Sequence, residues 1–321
     1  MPSPKTTRRK DRDRTVLVTG GAGFIGSHLV RRLLADGYEV RVLDNMATGR
    51  PGNLAGLPGV ELVESDVRSR AALRAALAGV DAVFHLAALP SVARSWTDPV
   101  STLATNAHGT ANIAEAAVDA GVRCLVYSSS SSIYGDQEVE LKVESLEPNP
   151  ISPYAYSKLL GEKIALAHAG DRQGLRVVAL RYFNVFGARQ DPNSPYSAVI
   201  PLFIKAALTG ATATIFGDGL QSRDFTHVDN VVDANMCALA SGASGVALNI
   251  ATSESHSLLE LADAISKLSG RPLDLAFSPP RQGDIRHSRA DVSLAAATIG
   301  YRPRVGFEDG LKRTFDDYRS A

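Results

Sequence analysis

The amino-acid sequence predicts an α/β chain with a doubly wound parallel sheet and a smaller C-terminal lobe. Three observations predict it. Short β-branched segments alternate with helical stretches through the first half of the 321 residues. The strand-like segments are apolar throughout, as strands covered on both faces are. The stretch 15–26, TVLVTGGAGFIG, passes from such a strand through glycines into Phe24, Ile25, Leu29, Val30, Leu33 and Leu34 at helical spacing.

Strand, glycine turn and helix form the context that a dinucleotide fingerprint requires. Among Gly20, Gly21, Gly23 and Gly26, one glycine makes the tight turn. Another lets backbone N–H groups approach a pyrophosphate, and a third lets the helix pack on the strand. The helix N-terminus then faces the phosphates with its partial positive charge. A second strand over 39–43 ends in Asp44, at the expected distance down the chain. A carboxylate there accepts both ribose hydroxyls of NAD and repels the 2′-phosphate of NADP, so NAD is the predicted cofactor.

The remaining elements follow in order. Strands are expected at 60–63, 81–88, 123–128 and 176–182, and helices at 70–77, 98–120 and 154–169, the second opened by Pro99. Ligands of such sheets sit at the carboxyl ends of the strands. Those ends hold the glycines, Asp44, Asp66, residues 87–90, a serine run and Asn184. Beyond Asn184 a polar, proline-punctuated loop intervenes. Then come a helix at 198–208, a strand at 213–216, a helix at 231–240, a strand at 246–250 and a helix at 257–268. Ser257 and Glu260 stand as a capping box for that last helix. A strand at 273–277 and helices near Leu294 and Leu311 finish the chain. The expected division is a tail over 1–13, a dinucleotide-binding domain over 14–183 and a substrate-binding lobe over 184–321. Segments near 228–252 are expected to return to the first domain.

Composition excludes several classes. Lys plus Arg equals Asp plus Glu at 34 each, so no net field draws the chain to nucleic acid or membrane. Basic residues in the tail are interleaved with Asp11 and Asp13, which favours a solvated segment over a nucleic-acid arm. The tail has no apolar h-region, and the longest apolar runs are strand-length, so neither a secretory signal nor a membrane span is expected. Only Cys124 and Cys237 occur, which fits a reducing cytoplasm without disulfides. No His, Cys and carboxylate set has metal-ligand spacing, and no metal is expected. His85 lies within apolar DAVFHLAA and reads as a packing histidine. His227 and His287 carry no assigned role.

Chemistry concentrates at two places. Tyr154 and Lys158 stand at i and i+4, on one helix face. A nearby cation favours phenolate, so Lys158 is expected to lower the Tyr154 pKa and fit it as a general base at a sugar hydroxyl. About twenty residues earlier, YSSSSSIY follows a buried strand and presents hydroxyls into a cleft.

Taken together, the glycine motif, Asp44, Asp66–Val67, HLAA at 85–88, Asn106, the serine run before Tyr134–Gly135, and Tyr154/Lys158 resemble an extended short-chain dehydrogenase/reductase with a Rossmann domain. ALPSVARSWTDP, SPYAYSK, LRYFNVFGARQDPNSPYSAVIP, GDGLQSRDFTHVDN and PPRQGD extend the resemblance over nearly the whole chain from Thr15. They are most similar to the NAD-dependent nucleotide-sugar epimerases and dehydratases, and among these to UDP-N-acetylglucosamine 4-epimerases.

The resemblance implies a homodimer and a UDP-sugar substrate, with roles for individual residues. Ser130, Tyr154 and Lys158 are the implied catalytic set. NAD would meet Gly20, Gly23, Phe24, Ile25, Gly26, Asp44, Asn45, Asp66, Val67, Leu86, Ala87, Ala88, Asn106, Ser128, Tyr154, Lys158, Tyr182 and Asn184. Asn184, Arg223 and Arg281 resemble residues holding the UDP diphosphate, Phe216 one at the uracil and Asp284 one at the nucleotide ribose. Ser91, Arg94, Ser95, Ser131, Ser132, Arg189 and Val199 are expected around the sugar.

Sugar 4,6-dehydratases of this branch carry an Asp–Glu pair where Ser131 and Ser132 stand. Elimination needs an acid and a base that serine cannot supply. The expectation is therefore 4-epimerisation of UDP-GlcNAc/UDP-GalNAc or UDP-Glc/UDP-Gal, with UDP-glucuronic acid as the runner-up should Arg189 meet a C6 carboxylate. Three rivals are a dehydratase drawing on Glu138 or Asp136, an NADPH-dependent 4-keto-sugar reductase and a non-catalytic NAD sensor. Asp44 opposes the reductase, and the intact Ser130/Tyr154/Lys158 set opposes the sensor.

Overall fold

The computed structural model describes residues 15–170, 174–193, 197–280 and 285–320. Strand β1 (Thr15–Thr19) is followed by α1 (Phe24–Ala35), which buries Leu29, Val30 and Leu33 against the sheet. Then come β2 (Glu39–Asp44), β3 (Val60–Glu64), α2 (Arg70–Ala76) and β4 (Ala82–His85), the last buried at every position. A short helix that the sequence pattern did not announce, α3 (Val92–Thr97), starts at Ser91, whose hydroxyl accepts from the Arg94 N–H.

The helix expected over 98–120 divides. Asp98 caps α4 (Pro99–Leu103), a π-helical turn spans Ala104–His108, and α5 (Gly109–Asp119) continues. Such insertions mark places where a side chain is re-aimed, and here the turn carries Asn106. Strand β5 (Cys124–Ser130) runs two residues further than expected and takes three of the serines into the sheet. A 3₁₀ turn over Ser131–Tyr134 follows. Helix α6 (Pro153–Ala167) starts behind Ser152, whose hydroxyl accepts from the Ala155 N–H. It leads to β6 (Arg176–Tyr182).

Later elements are β7 (Val185–Phe186), α7 (Val199–Thr209), β8 (Ala213–Phe216), β9 (Ser222–Arg223), β10 (Thr226–His227), α8 (Val228–Ala240) and β11 (Val246–Ile250). They are followed by β12 (His256–Ser257), α9 (Leu258–Ser269), β13 (Leu275–Ser278), β14 (His287–Ser288), α10 (Ser293–Ile299) and α11 (Phe307–Ser320). Both hydrogen bonds of the Ser257/Glu260 capping box are present.

Seven parallel strands form one sheet in the order β3-β2-β1-β4-β5-β6-β11. Strand order reverses between β1 and β4, where such sheets open a ligand crevice at their carboxyl ends. Helices α1, α8 and α10 cover one face, with Leu33, Val231, Ala234 and Ile299 in its core. Helices α2, α5 and α6 cover the other, with Leu73, Ile113, Ala117 and Ala165. A separate apolar cluster joins α7, α9 and α11 through Phe203, Ile204, Leu261, Ile265, Leu311 and Phe315. Three small sheets, β10–β7, β12–β9–β14 and β13–β8, complete the strand pairings among the described residues.

Candidate active site

The glycine turn leaves β1 at Gly20, where φ is +72°. A Cβ there would stand 2.7 Å from the Ala87 nitrogen, so β1 and the chain after β4 approach as closely as backbone allows. One turn into α1, a Cβ at Gly26 would lie 2.1 Å from the Gly20 oxygen. Gly23 is the N-cap of α1 and offers no side chain to its amides, and no acidic residue stands in the first turn. Phe24 and Ile25 open the helix. The leading N–H groups of this helix thus have neither a side-chain cap nor a first-turn carboxylate of their own.

Asp44 ends β2 and is 6% exposed. Its Oδ2 accepts from the Ala22 N–H at 3.0 Å and its Oδ1 from the Met46 N–H at 2.9 Å. Burial raises its pKa and these two bonds oppose the rise. Next to it, Asn45 donates to Asp66 Oδ2 at 2.8 Å. Hydrogen bonds from Arg68 are the largest cause holding the Asp66 carboxyl down at about 2. Val67 is buried against Gly109 at the start of α5.

Leu86, Ala87 and Ala88 follow β4, and Thr19 holds the first two. Its carbonyl accepts from the Leu86 N–H and its hydroxyl from the Ala87 N–H. His85 is buried between Thr19 and Thr110. The Asn106 carboxamide ties the next residue: its oxygen accepts from the Leu89 N–H at 2.7 Å while its nitrogen donates to the Ser157 hydroxyl at 2.9 Å. Asn106 thus fastens the loop after β4 to α6, beside Lys158. Tyr182 ends β6 with its hydroxyl on Asn235.

The structure brings Ser130, Tyr154 and Lys158 together. Ser130 stands near enough to the Tyr154 hydroxyl to lower its pKa, but burial is the larger influence and leaves the phenol raised. Lys158 is not among the groups acting on Tyr154, contrary to the expectation from their spacing. Lys158 is itself 4% exposed, and burial pulls it down to about 7. Its ammonium donates to the Ser128 carbonyl and stands 4.8 Å above the Tyr127 ring. Ser132 donates its hydroxyl to Ser130 Oγ at 2.9 Å, and its N–H points to the same oxygen at 3.2 Å. Ser131 opens the 3₁₀ turn.

Toward the smaller region, Asn184 (φ +33°) donates to the Asp224 carbonyl at 3.3 Å and to Ser288 Oγ at 3.4 Å. Arg223 on β9 donates to the Ser222 carbonyl at 2.9 Å. Phe216 ends β8, its carbonyl taken by the Gln221 amide. Val199 opens α7 and packs with the third apolar cluster. Ser91 and Ser95 spend their hydroxyls within α3, Ser95 donating to the Val92 carbonyl, and Arg94 lies in the first turn between them. Arg189 contacts α1, its Nε donating to Ser27 Oγ at 3.1 Å. The charges around it are Arg31, Asp229 and Asp317, on α1, α8 and α11 rather than on the serine strand. Arg281, Asp284 and the tail over 1–13 lie outside the described residues. Among the described residues, no three His, Cys, Asp or Glu side chains gather as metal ligands, and no helix is long and apolar enough to cross a membrane.

Residues 16–251 match the NAD-dependent epimerase/dehydratase family. The chain belongs to this family. It is 41% identical to the UDP-glucose 4-epimerase of Mycolicibacterium smegmatis over 95% of this chain and 98% of that one. Among solved structures it is similar to the UDP-N-acetylglucosamine 4-epimerase of Methanobrevibacter ruminantium in complex with UDP-N-acetylmuramic acid, at 38% identity and a TM-score of 0.91, over 96% of this chain and 99% of that one. The UDP-glucose 4-epimerase of Thermus thermophilus in complex with NAD is similar at 39% identity and a TM-score of 0.88, over the same shares. NAD is the cofactor of the family, and the residues here fit it. The α1 N-terminus is built without a side-chain cap, and each Asp44 oxygen has a backbone N–H fixing it while lone pairs remain for two hydroxyls.

Sequence reasoning missed two buried groups. Asp224 is fully buried, its carboxylate accepting from Thr252 N and Oγ1, Ser253 N and Ala290 N. It thereby fixes Arg223 beside it, and the signal was an aspartate flanked by Arg223 and Phe225. Glu162 is buried one turn beyond Lys158, and the signal was its place on the Tyr154/Lys158 stripe.

Proposed function

We propose that this protein is a UDP-sugar 4-epimerase acting on UDP-GlcNAc/UDP-GalNAc or UDP-Glc/UDP-Gal. The observation that carries the reading is the nearness of Ser130 to Tyr154, one helical turn from a buried Lys158, where the neighbouring Ser131 and Ser132 offer hydroxyls alone. Tyr154 and Ser130 together receive the sugar O4–H. Tyr154, as phenolate, takes the O4 proton as C4 is oxidised, and returns it when C4 is reduced on its other face. NAD, when bound, would supply the two-electron acceptor for C4. Lys158 holds the strand end through the Ser128 carbonyl and adds positive charge while protonated. Asn184, Arg223 and Arg281 are the proposed diphosphate anchors, since guanidinium forks match phosphate oxygens. With the diphosphate held, the 4-keto sugar can turn within the pocket.

The dimer implied by the resemblance also belongs to this reading. Trp96, Val100, Leu103, Tyr156 and Leu160 are exposed on α3, α4 and α6. These apolar side chains on adjacent helices fit a second copy of the same face about a two-fold axis. Cys124 and Cys237 are both free thiols, which suits a reducing cytoplasm.

The test is NMR of reactions run in D2O with UDP-glucose, UDP-GlcNAc and UDP-glucuronate. The expected product is the C4 epimer of one of the first two, without deuterium at C5. Loss of water with deuterium at C5 would overturn the reading for a dehydratase, and turnover of the glucuronate alone would move the substrate to a hexuronate.

A further inference from the structure

Three consecutive residues of β5 engage three positions of α6. The Ser128 carbonyl accepts from Lys158 Nζ, Ser129 Oγ donates to Glu162 Oε2 at 2.6 Å, and Ser130 stands near enough to the Tyr154 hydroxyl to lower its pKa. Residues 154, 158 and 162 are spaced by four, so they form one stripe along the helix. The proposed base, the lysine and a buried carboxylate are thus held in one row by one strand.

Arg181 of β6 meets this carboxylate with both arms of its fork. Nε donates to Oε2 at 3.0 Å and Nη2 to Oε1 at 2.7 Å. The two side chains are 7% and 3% exposed. The guanidinium also lies 5.1 Å from the Tyr134 ring and donates to the Tyr134 hydroxyl at 2.7 Å and the Glu144 carbonyl at 3.3 Å. Three donors fix the Glu162 carboxylate between two buried cationic side chains. Arginine does not give up its proton in such a place, whereas lysine does.

Other groups facing Lys158 are few. His85 on β4 is neutral, Tyr127 on β5 presents its ring, and Tyr154 shares the helix. Burial lowers the Lys158 pKa, and Glu162 is the charge that raises it. On the far side of the pair stand Tyr134 and Glu144, both next to Arg181.

We propose that Glu162 and Arg181 are a positioning pair that sets the protonation of Lys158, and through the charge it keeps at the strand end the alkaline limit of turnover. This rests on the reading of Tyr154 as the base. Glu162 supplies the counter-charge that keeps the lysine protonated, and Arg181 limits how much of that charge reaches it. The two partners therefore act with opposite sign.

The experiment is the pH profile of kcat and KM for UDP-glucose and UDP-GlcNAc, from pH 6 to 10, on enzyme purified with its NAD. Glu162→Gln removes the counter-charge, so the alkaline limb should move down by about one pH unit, the size of shift a neighbouring charge produces. Arg181→Gln should move it up by a similar amount. Glu162→Asp should restore the wild-type limb, and KM should stay within about twofold throughout. If either single variant does not fold, the double variant Glu162→Gln/Arg181→Gln, which removes both charges of the pair together, should still move the limb down, by less. Lower kcat at every pH with an unshifted limb, or shifts of the same sign in both single variants, would overturn the proposal and leave the pair a structural brace. Tyr154→Phe is the separate control: high residual activity there would sink the reading of the base, whatever the limbs do.

Discussion

At the scale of single residues, hydrogen bonds decide protonation states that charge alone leaves open. Thr110 spends its hydroxyl hydrogen on the Asn106 carbonyl at 2.6 Å, so it accepts from His85 Nε2 at 3.1 Å. That leaves His85 Nδ1 to accept from the Thr19 hydroxyl at 2.7 Å. The neutral Nε2–H tautomer satisfies every partner. Burial accordingly lowers His85 to about 3, and His28, whose Nε2 donates to the Ala188 carbonyl, to about 4. A base whose folded pKa is depressed binds its proton in the unfolded chain first. Stability is therefore intact above pH 6.5 and falls as pH drops from 6.5 toward 3 to 4. Between pH 6.5 and 5 a fully buried histidine contributes a loss of up to about 2 kcal/mol, at about 1.4 kcal/mol per unit. Asp44, Glu144 and Asp224, raised by burial, work in the opposite sense. The informative quantity is the difference between wild type and His85→Gln. Urea unfolding should show the variant less stable at pH 7 but with a shallower decline toward pH 5, and parallel declines would refute the assignment.

At the scale of elements, β9 carries Arg223 on two residues and could not be rigid alone. The neighbouring Asp224 makes it so, drawing N–H groups from 252, 253 and 290 onto one carboxylate. Arg223→Ala should thus remove a charge-assisted contact without disturbing the frame, weakening UDP binding by about 1.5–3 kcal/mol in calorimetry. Unchanged affinity would mean that the diphosphate lies elsewhere. This strand also shows which features were legible in the sequence. The sheet, the glycine turn, Asp44 and the Tyr154/Lys158 spacing were readable because periodicity and local motifs encode them. The Asp224 cradle was not, because its donors stand 28 to 66 residues away and no local pattern reports pairing at that range. Nor was the π-helical turn at Ala104–His108, where tertiary bonds of Asn106 prevail over a continuous helical pattern. Arg189 looked like a residue for the hexose end, yet its left-handed backbone (φ +63°) and its bond to Ser27 bring it to α1.

At the scale of the whole molecule, α6 has two opposed faces with different tasks. Lys158 and Glu162 face the strand ends and are buried, while Tyr156 and Leu160 face outward at 58% and 47% exposure. Helix α4 lies against α6 and adds Val100, 76% exposed, and Leu103. Covering this patch with a second copy would bury apolar area worth roughly 25 cal/mol per Å². It would also hold α6 from the side opposite to Ser128, Ser129 and Ser130. The wild type should therefore sediment at twice the 34.0 kDa chain mass, and Val100→Glu/Leu160→Arg should sediment as a single chain. Since the proposed diphosphate anchors include Arg223 on β9 and the proposed base is Tyr154 on α6, the dissociated variant should lose turnover several-fold while its UDP affinity holds. A wild type that stays monomeric at tens of micromolar, or a charged variant that stays dimeric, would show that α3, α4 and α6 face a different partner. Loss of UDP affinity in step with turnover would show instead that the two regions are coupled, and that α6 does not report on the base alone.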